Sequence, residues 1–209
     1  MEQVDAIVFD MDGTLIASHA AVPAAYRAAI LAGGGRQHTD EEIIAGYPLG
    51  APSALLTALL GRPATETDVE RYHAELAAVA EQVASYDGVP ELLAGLAGRA
   101  PLGLFTGASH RAARILLERV GLAGHFRVII GGDEVTRPKP APDGVVLACR
   151  RLGVAPQRSA YVGDSPLDLR AARDAGALAV AARWGHQYDP HTPADLTVAH
   201  PRDLRALFA

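Results

Sequence analysis

The chain has 209 residues, is 49% hydrophobic and carries a formal net charge of −5. That charge leaves no electrostatic footprint for nucleic acid, and no apolar run approaches the ~20 residues that a membrane span needs. A single cysteine, Cys149, excludes an internal disulfide and a cysteine-cluster zinc site, and with Glu2 and Asp5 where an export signal needs positive charge, a cytoplasmic compartment is expected.

Residues 4–14, VDAIVFDMDGT, set Asp10 and Asp12 directly behind a continuous apolar run. A short run of Val, Ile and Phe bounded by a glycine turn predicts a strand buried on both faces. Open α/β sheets bind their ligands at the C-terminal ends of such strands. One aspartate there would serve as a helix N-cap. Two at i and i+2, ahead of Gly13, which permits close backbone approach, suggest a cation and a nucleophile in one place. An EF-hand is excluded, because its fifth, sixth and twelfth positions would be Thr14, Leu15 and Ala21.

Residues 20–86 contain no convincing strand and predict helices over 21–32, 40–45, 51–60 and 66–85. Thr39 with Glu42 reads as a capping box and Thr65 with Asp68 as a weaker one. Gly33, Gly34 and Gly35 terminate a helix; no Lys-Ser/Thr follows them, so they form no phosphate loop. From Gly88 the pattern changes to alternation. Helices are predicted at 89–96, 109–122, 143–153 and 167–176, and strands at 101–107, 126–132, 158–164 and 177–183, with a final short strand within 195–200. Cys149 falls in one of these helices as a small buried apolar residue. Strands alternating with crossover helices predict a Rossmann-like, doubly wound parallel sheet. The first strand must join that sheet, which makes the helical stretch an insertion: core 1–17 and 87–209, insert 18–86.

Four predicted strand ends carry or precede polar residues: Asp10 with Asp12, Thr106, the loop leading to Lys139, and Asp164 with Asp168. Parallel strands bring these ends to one edge of the sheet. Lys139 is also the only lysine beside eighteen arginines, a compact point charge where a fork would not fit between oxygens. Together the set supplies an anion site and a divalent-cation site.

At these residues the sequence resembles the haloacid dehalogenase superfamily, in its phosphatase branch, and looks most like the phosphoglycolate phosphatase group. DMDGTL at 10–15, LFTGAS at 104–109, RPKPAPD at 137–143 and YVGDSPLDLRAARDAG at 161–176 resemble the four family motifs in order and spacing. The helical insert matches the family's cap, and AGYPLGAPSALL at 45–56 resembles its substrate-facing loop. One departure is that DGTL is followed by Ile16, Ala17 and Ser18, where the branch often has an acid and then Ser or Thr.

The resemblance implies a Mg²⁺-dependent hydrolase of a small phosphate ester, 2-phosphoglycolate among the candidates. Asp10 would be the nucleophile and a metal ligand, and Asp12 the general acid and base, with its backbone carbonyl on the metal. Asp164 would be a metal ligand. Thr106 with the amides of Gly107 and Ala108 would hold phosphate oxygens, Lys139 would offset charge, and Asp168 would orient Lys139 or metal-bound water. Gly46, Tyr47 and Leu49 would face the substrate. Arg27, Arg36, Arg62 and Arg71 are candidates for binding a substrate carboxylate, and Trp184, Gly185 and His186 for bordering the site; His191 and the other histidines show no metal spacing.

Asp12 argues against dehalogenation, and the absence of any lysine in 18–86 argues against a Schiff-base phosphonate hydrolase. A phosphomutase of the same superfamily, a phospho-accepting regulatory domain and a catalytically idle phosphate-binding protein remain as alternatives.

Overall fold

The computed structural model describes residues 4–208. Glu2 and the outermost ends of the two predicted core segments lie outside the described residues. Six parallel strands form the sheet: β1 (Ala6–Phe9), β4 (Leu102–Phe105), β5 (Val128–Ile130), β6 (Ser159–Gly163), β7 (Leu178–Ala182) and β8 (Leu196–Val198), in the order β5-β4-β1-β6-β7-β8. β1 is central, pairing Phe9 with Leu104 on one side and with Val162 on the other. The chain adds β4 and β5 to one side of β1, then crosses to build β6, β7 and β8 on the other. This switch of direction opens a crevice at the carboxyl edge beside β1.

Strand parity divides the core. Ile7 and Phe9 point into the layer that contains Val89 and Leu93 of α5 (Val89–Leu96) and Leu116 of α6 (His110–Arg119). Ala6 and Val8 point to the opposite layer, against α7 (Asp143–Leu152) and α8 (Pro166–Ala175). Side chains alternate with period two along a strand, so a strand covered on both faces must be apolar throughout, as AIVF is. Cys149 is fully buried in the second layer, and burial pushes its thiol above the ordinary value.

Between β1 and α5 lie four helices: α1 (Ala21–Ala32), α2 (Asp40–Ala45), α3 (Pro52–Leu60) and α4 (Glu66–Val79). Their starts follow local chemistry. Thr39 and Glu42 form a reciprocal capping box at α2, and Thr65 and Asp68 form one at α4. α1 and α4 lie against each other, with the rings of Tyr26 and Tyr72 stacked at 4.1 Å. Among the described residues no helix is long and apolar enough to cross a membrane.

The structure corrects one expectation. The helix expected over 66–85 ends at Val79; a 3₁₀ turn, Ala80–Gln82, follows, and then a strand, β3 (Ala84–Ser85), in a region expected to contain none. β3 pairs antiparallel with β2 (Ile16–Ala17), and the Tyr86 amide donates to the Leu15 carbonyl at 3.0 Å. The two connections of the helical segment thus satisfy each other's backbone. That pairing joins residues about seventy positions apart, which no local pattern announces.

Asp68 generates a test. Its buried carboxylate accepts from Arg62 at 2.7 and 3.1 Å, from Arg71 at 3.1 Å, and from the amide and hydroxyl of Thr65. The Arg62 bonds, then those from Thr65, hold its carboxyl well below the usual range. A depressed folded-state pKa adds stability that is present above the unfolded value of ~3.9 and is lost as pH falls through the folded value. Asp68→Asn is therefore expected to lower Tm at pH 7, and the gap to wild type should close below about pH 4 in scanning calorimetry.

Candidate active site

Four strands deliver the polar residues to one edge. Asp10 follows β1, with its amide donating to the Val162 carbonyl at 2.8 Å, and Thr106 follows β4, with its amide on the Ile130 carbonyl at 3.1 Å. Lys139 lies in the loop between β5 and α7, and Asp164 follows β6. Asp10, Thr106, Asp164 and Asp168 are buried, whereas Asp12 is partly buried.

Lys139 is the hub. Its ammonium donates to Asp10 Oδ1 at 2.5 Å and to Asp168 Oδ1 at 2.6 Å, with only 10% of its side chain exposed. It also lies 5.1 Å from the centre of the Phe105 ring and 5.6 Å from that of Tyr161. Burial alone would lower its pKa, but Asp10 and Asp168 outweigh it and hold the ammonium charged.

Asp168 is fixed by the start of its own helix. Ser165 and Asp168 form a capping box at α8 with Pro166 in the first turn. Oδ2 accepts from the Ser165 amide at 3.1 Å and hydroxyl at 2.6 Å, which leaves Oδ1 for Lys139 and for the Tyr161 hydroxyl at 3.1 Å. Thus a helix cap also orients the lysine.

Asp12 accepts from the Ser18 hydroxyl on Oδ1 and from Thr106 Oγ1 at 3.4 Å on Oδ2. Burial raises its pKa, against the lowering effect of Ser18. Ser18, at the departure from the usual motif, thereby supplies a hydroxyl directly to Asp12.

Asp164 is enclosed by backbone. Gly13 has a φ of +87°, and a Cβ there would come 2.3 Å from Asp164 Oδ2; one at Gly185 would come 2.1 Å from Asp164 Cβ. Its oxygens accept from Thr14 Oγ1 at 3.4 Å and the Gln187 amide at 2.9 Å, while Trp184 Nε1 donates to the Thr14 carbonyl at 2.9 Å. Burial, followed by the charge of Asp168, pushes Asp164 up to about 7. Burial also raises Asp10 well above the carboxylate range, with Asp168 adding to the rise and Lys139 opposing it.

One oxygen each from Asp10, Asp164 and Asp168 lies within 4.8 Å of the others. Buried oxygen donors that disfavour one another's ionisation fit a hard divalent cation. Asp168 enters this group by its side chain, in addition to the orienting role expected of it.

A cavity separates this edge from the helical segment. Gly107 and Ala108 line it, and the Ala108 amide donates to Thr106 Oγ1 at 3.1 Å. Of the loop expected to face the substrate, Tyr47 lines the cavity, as does Gly50, which packs on Pro138. Gly46 instead packs against Leu55, and Leu49 is 49% exposed; neither is on the wall. His186 lines the cavity and His191 does not.

The four candidate arginines are not on the wall either. Arg27 pairs with Asp40, Arg36 with Glu42, and Arg62 and Arg71 with Asp68. Those acids begin α2 and α4, where negative charge near the helix N-terminus is favourable. The arginines complete helix starts.

Residues unforeseen from the sequence also line the cavity, notably Ser18, His19, Tyr26, Tyr72 and Gln187. In addition His73 of α4 bonds through Nε2 to the Ser109 hydroxyl at 2.8 Å, which also caps α6. Burial lowers the pKa of His73.

The chain belongs to the haloacid dehalogenase-like hydrolase family, which it matches over residues 4–176. Among curated relatives, the N-acetylmuramic acid 6-phosphate phosphatase of Pseudomonas aeruginosa is 34% identical over 97% of this chain and 93% of that protein. The phosphoglycolate phosphatase of Escherichia coli is 31% identical over 90% of this chain and 84% of that one. CbbY of Rhodobacter sphaeroides, crystallised in complex with phosphate, superposes with a TM-score of 0.83 at 25% identity, covering 98% of this chain and 99% of its own.

The arrangement around Lys139 generates a second test. Lys139→Met leaves two buried carboxylates without their counter-charge and should lower stability by about 3–5 kcal/mol, as removal of one partner of a buried pair does. Urea unfolding at pH 8 measures it. An unchanged midpoint would mean that the charge of Asp10 and Asp168 is balanced elsewhere.

Proposed function

We propose that this protein is a Mg²⁺-dependent phosphomonoester hydrolase that works through an aspartyl phosphate on Asp10. The observation that carries the reading is the convergence of Asp10, Asp12, Thr106, Lys139, Asp164 and Asp168 on one wall of a cavity. Asp10, Asp164 and the backbone carbonyl of Asp12 would hold the cation, with Asp168 beside them. Bound there, the ion supplies positive charge against the phosphoryl group and keeps neighbouring carboxylates ionised.

In the first step a carboxylate oxygen of Asp10 forms a bond to phosphorus, the ester P–O bond breaks, and the leaving oxygen takes a proton from Asp12. Burial raises the pKa of Asp12, the direction that favours the protonated form a general acid needs. In the second step Asp12 takes a proton from water, the water oxygen bonds to phosphorus, and Asp10 is released with inorganic phosphate. Lys139 lies against the attacking carboxylate, and its charge offsets the negative charge that gathers as the dianion is approached. Thr106 and the loop residues Gly107 and Ala108 bind phosphoryl oxygens. The segment 18–86 acts as a cap that excludes water during the first step.

The test is release of inorganic phosphate from a phosphomonoester panel with Mg²⁺. EDTA should remove the activity, and Asp10→Asn should lower kcat by at least about a thousandfold with the fold intact by circular dichroism. Equal turnover by Asp10→Asn and wild type would eliminate the nucleophile assignment. Transfer of phosphate within a sugar without its release would instead identify a mutase.

Asp12 has its own signature. An ester with a good leaving group needs little proton assistance, so the deficit of Asp12→Ala should shrink for p-nitrophenyl phosphate relative to an alkyl phosphate. Equal deficits on both would remove Asp12 as the general acid.

A further inference from the structure

We infer that the cavity selects phosphate esters whose leaving group is uncharged and hydroxyl-bearing, a polyol or sugar, and disfavours those whose leaving group carries a carboxylate. This rests on the hydrolase reading above and specifies its substrate class.

The first observation is where positive charge is found. Among the described residues Lys139 is the only lysine or arginine on the cavity wall, and its ammonium is already shared between Asp10 and Asp168. The four arginines of the helical segment are held in ion pairs away from the wall. A carboxylate on the leaving group would enter a space that already borders Asp12, Asp10 and Asp164, with no free lysine or arginine to meet it. An unpaired charge taken from water into such a site is strongly disfavoured.

The second observation is the chemistry of the remaining wall. Tyr26 and Tyr72, stacked at 4.1 Å, and Tyr47 come from the helical segment, beside Val22 and Leu116. Tyr26 and Tyr72 are almost wholly buried and offer the cavity mainly ring edges, while Tyr47 is half-buried. An uncharged aromatic wall with a few polar groups suits the C–H surface of a polyol and can orient its hydroxyls. The polar groups are at hand: the Tyr47 hydroxyl, Gln187 and the imidazoles of His19 and His186, whose rings lie 5.6 Å apart. Each can donate to or accept from a neutral hydroxyl.

The closing experiment uses substrate pairs that differ only in this charge: 2-hydroxyethyl phosphate against 2-phosphoglycolate, and glycerol 3-phosphate against 3-phosphoglycerate. They are assayed with Mg²⁺ at pH 8, with p-nitrophenyl phosphate as a general probe of hydrolysis. The neutral member of each pair should have a kcat/KM at least about tenfold higher. Val22→Arg and, independently, Tyr47→Arg place a cation on the wall and should shift the ratio toward the carboxylate member by about tenfold or more. The ratio is read within one preparation, so loss of folded protein cancels. Hydrolysis with equal or greater kcat/KM for the carboxylate members overturns the inference and leaves the hydrolase reading standing. Hydrolysis of none of these esters, the p-nitrophenyl ester included, removes the hydrolase reading and the inference with it. Ratios that do not move in either arginine variant also overturn the inference, since the wall would then not read the leaving group's charge.

Discussion

Several aspartates are buried around one ammonium at the carboxyl edge of a parallel sheet, and the rest of the structure accommodates that concentration of charge. A buried carboxylate persists only when its oxygens are met by donors. Each aspartate here is met differently. Asp10 has Lys139, Asp12 has Ser18 and Thr106, Asp164 has Thr14 and a backbone amide, and Asp168 has its helix cap, a tyrosine hydroxyl and the lysine. Carboxylate charge still exceeds ammonium charge. That excess is the physical reason for proposing a divalent cation as a natural occupant, whose charge would in turn make room for a phosphoryl group.

The two sides of the cavity have different characters. The sheet edge is ionic and tightly packed, down to glycines that let Asp164 sit against backbone. The helical side is aromatic and uncharged, its arginines spent on the first turns of α2 and α4. In the proposed reaction the phosphoryl group belongs to the first side and the leaving group to the second. On that reading, substitutions on the helical side are expected to alter which ester is used without moving the groups that break the bond.

What was legible in the sequence was what is local or periodic. The apolar run before Asp10, the switch to alternating helix and strand after Gly88, and the capping boxes at Thr39 and Thr65 all leave a signature within a few residues. The four strand ends could be collected because parallel topology alone dictates that they meet. The resemblance implied that Asp168 would orient Lys139; the Ser165–Asp168 capping box that holds Asp168 in place came from the structure. The ribbon of β2 and β3 was hidden because its partners are distant and each strand is two residues long. Tyr26 and Tyr72 fall on apolar helix faces, where sequence cannot distinguish a core ring from one that lines a cavity. The arginines misled for a related reason: from the sequence a cation near a cavity looks free, whereas its acidic partner is fixed only by the fold.

The central position of β1 has a consequence for how the chain is made. β1 precedes every other strand of its sheet along the chain, yet its partners are residues 102–105 and 159–163. At ~5–20 residues per second the nascent strand waits on the order of ten seconds for both neighbours. Through that interval an apolar segment with two open hydrogen-bonding edges is exposed, the composition that drives association between nascent chains. Asp10 and Asp12 close that segment on one side and Asp5 on the other, charges of the kind that discourage such association. The aspartates that the proposed chemistry needs thus also flank the stretch of chain most exposed to that association.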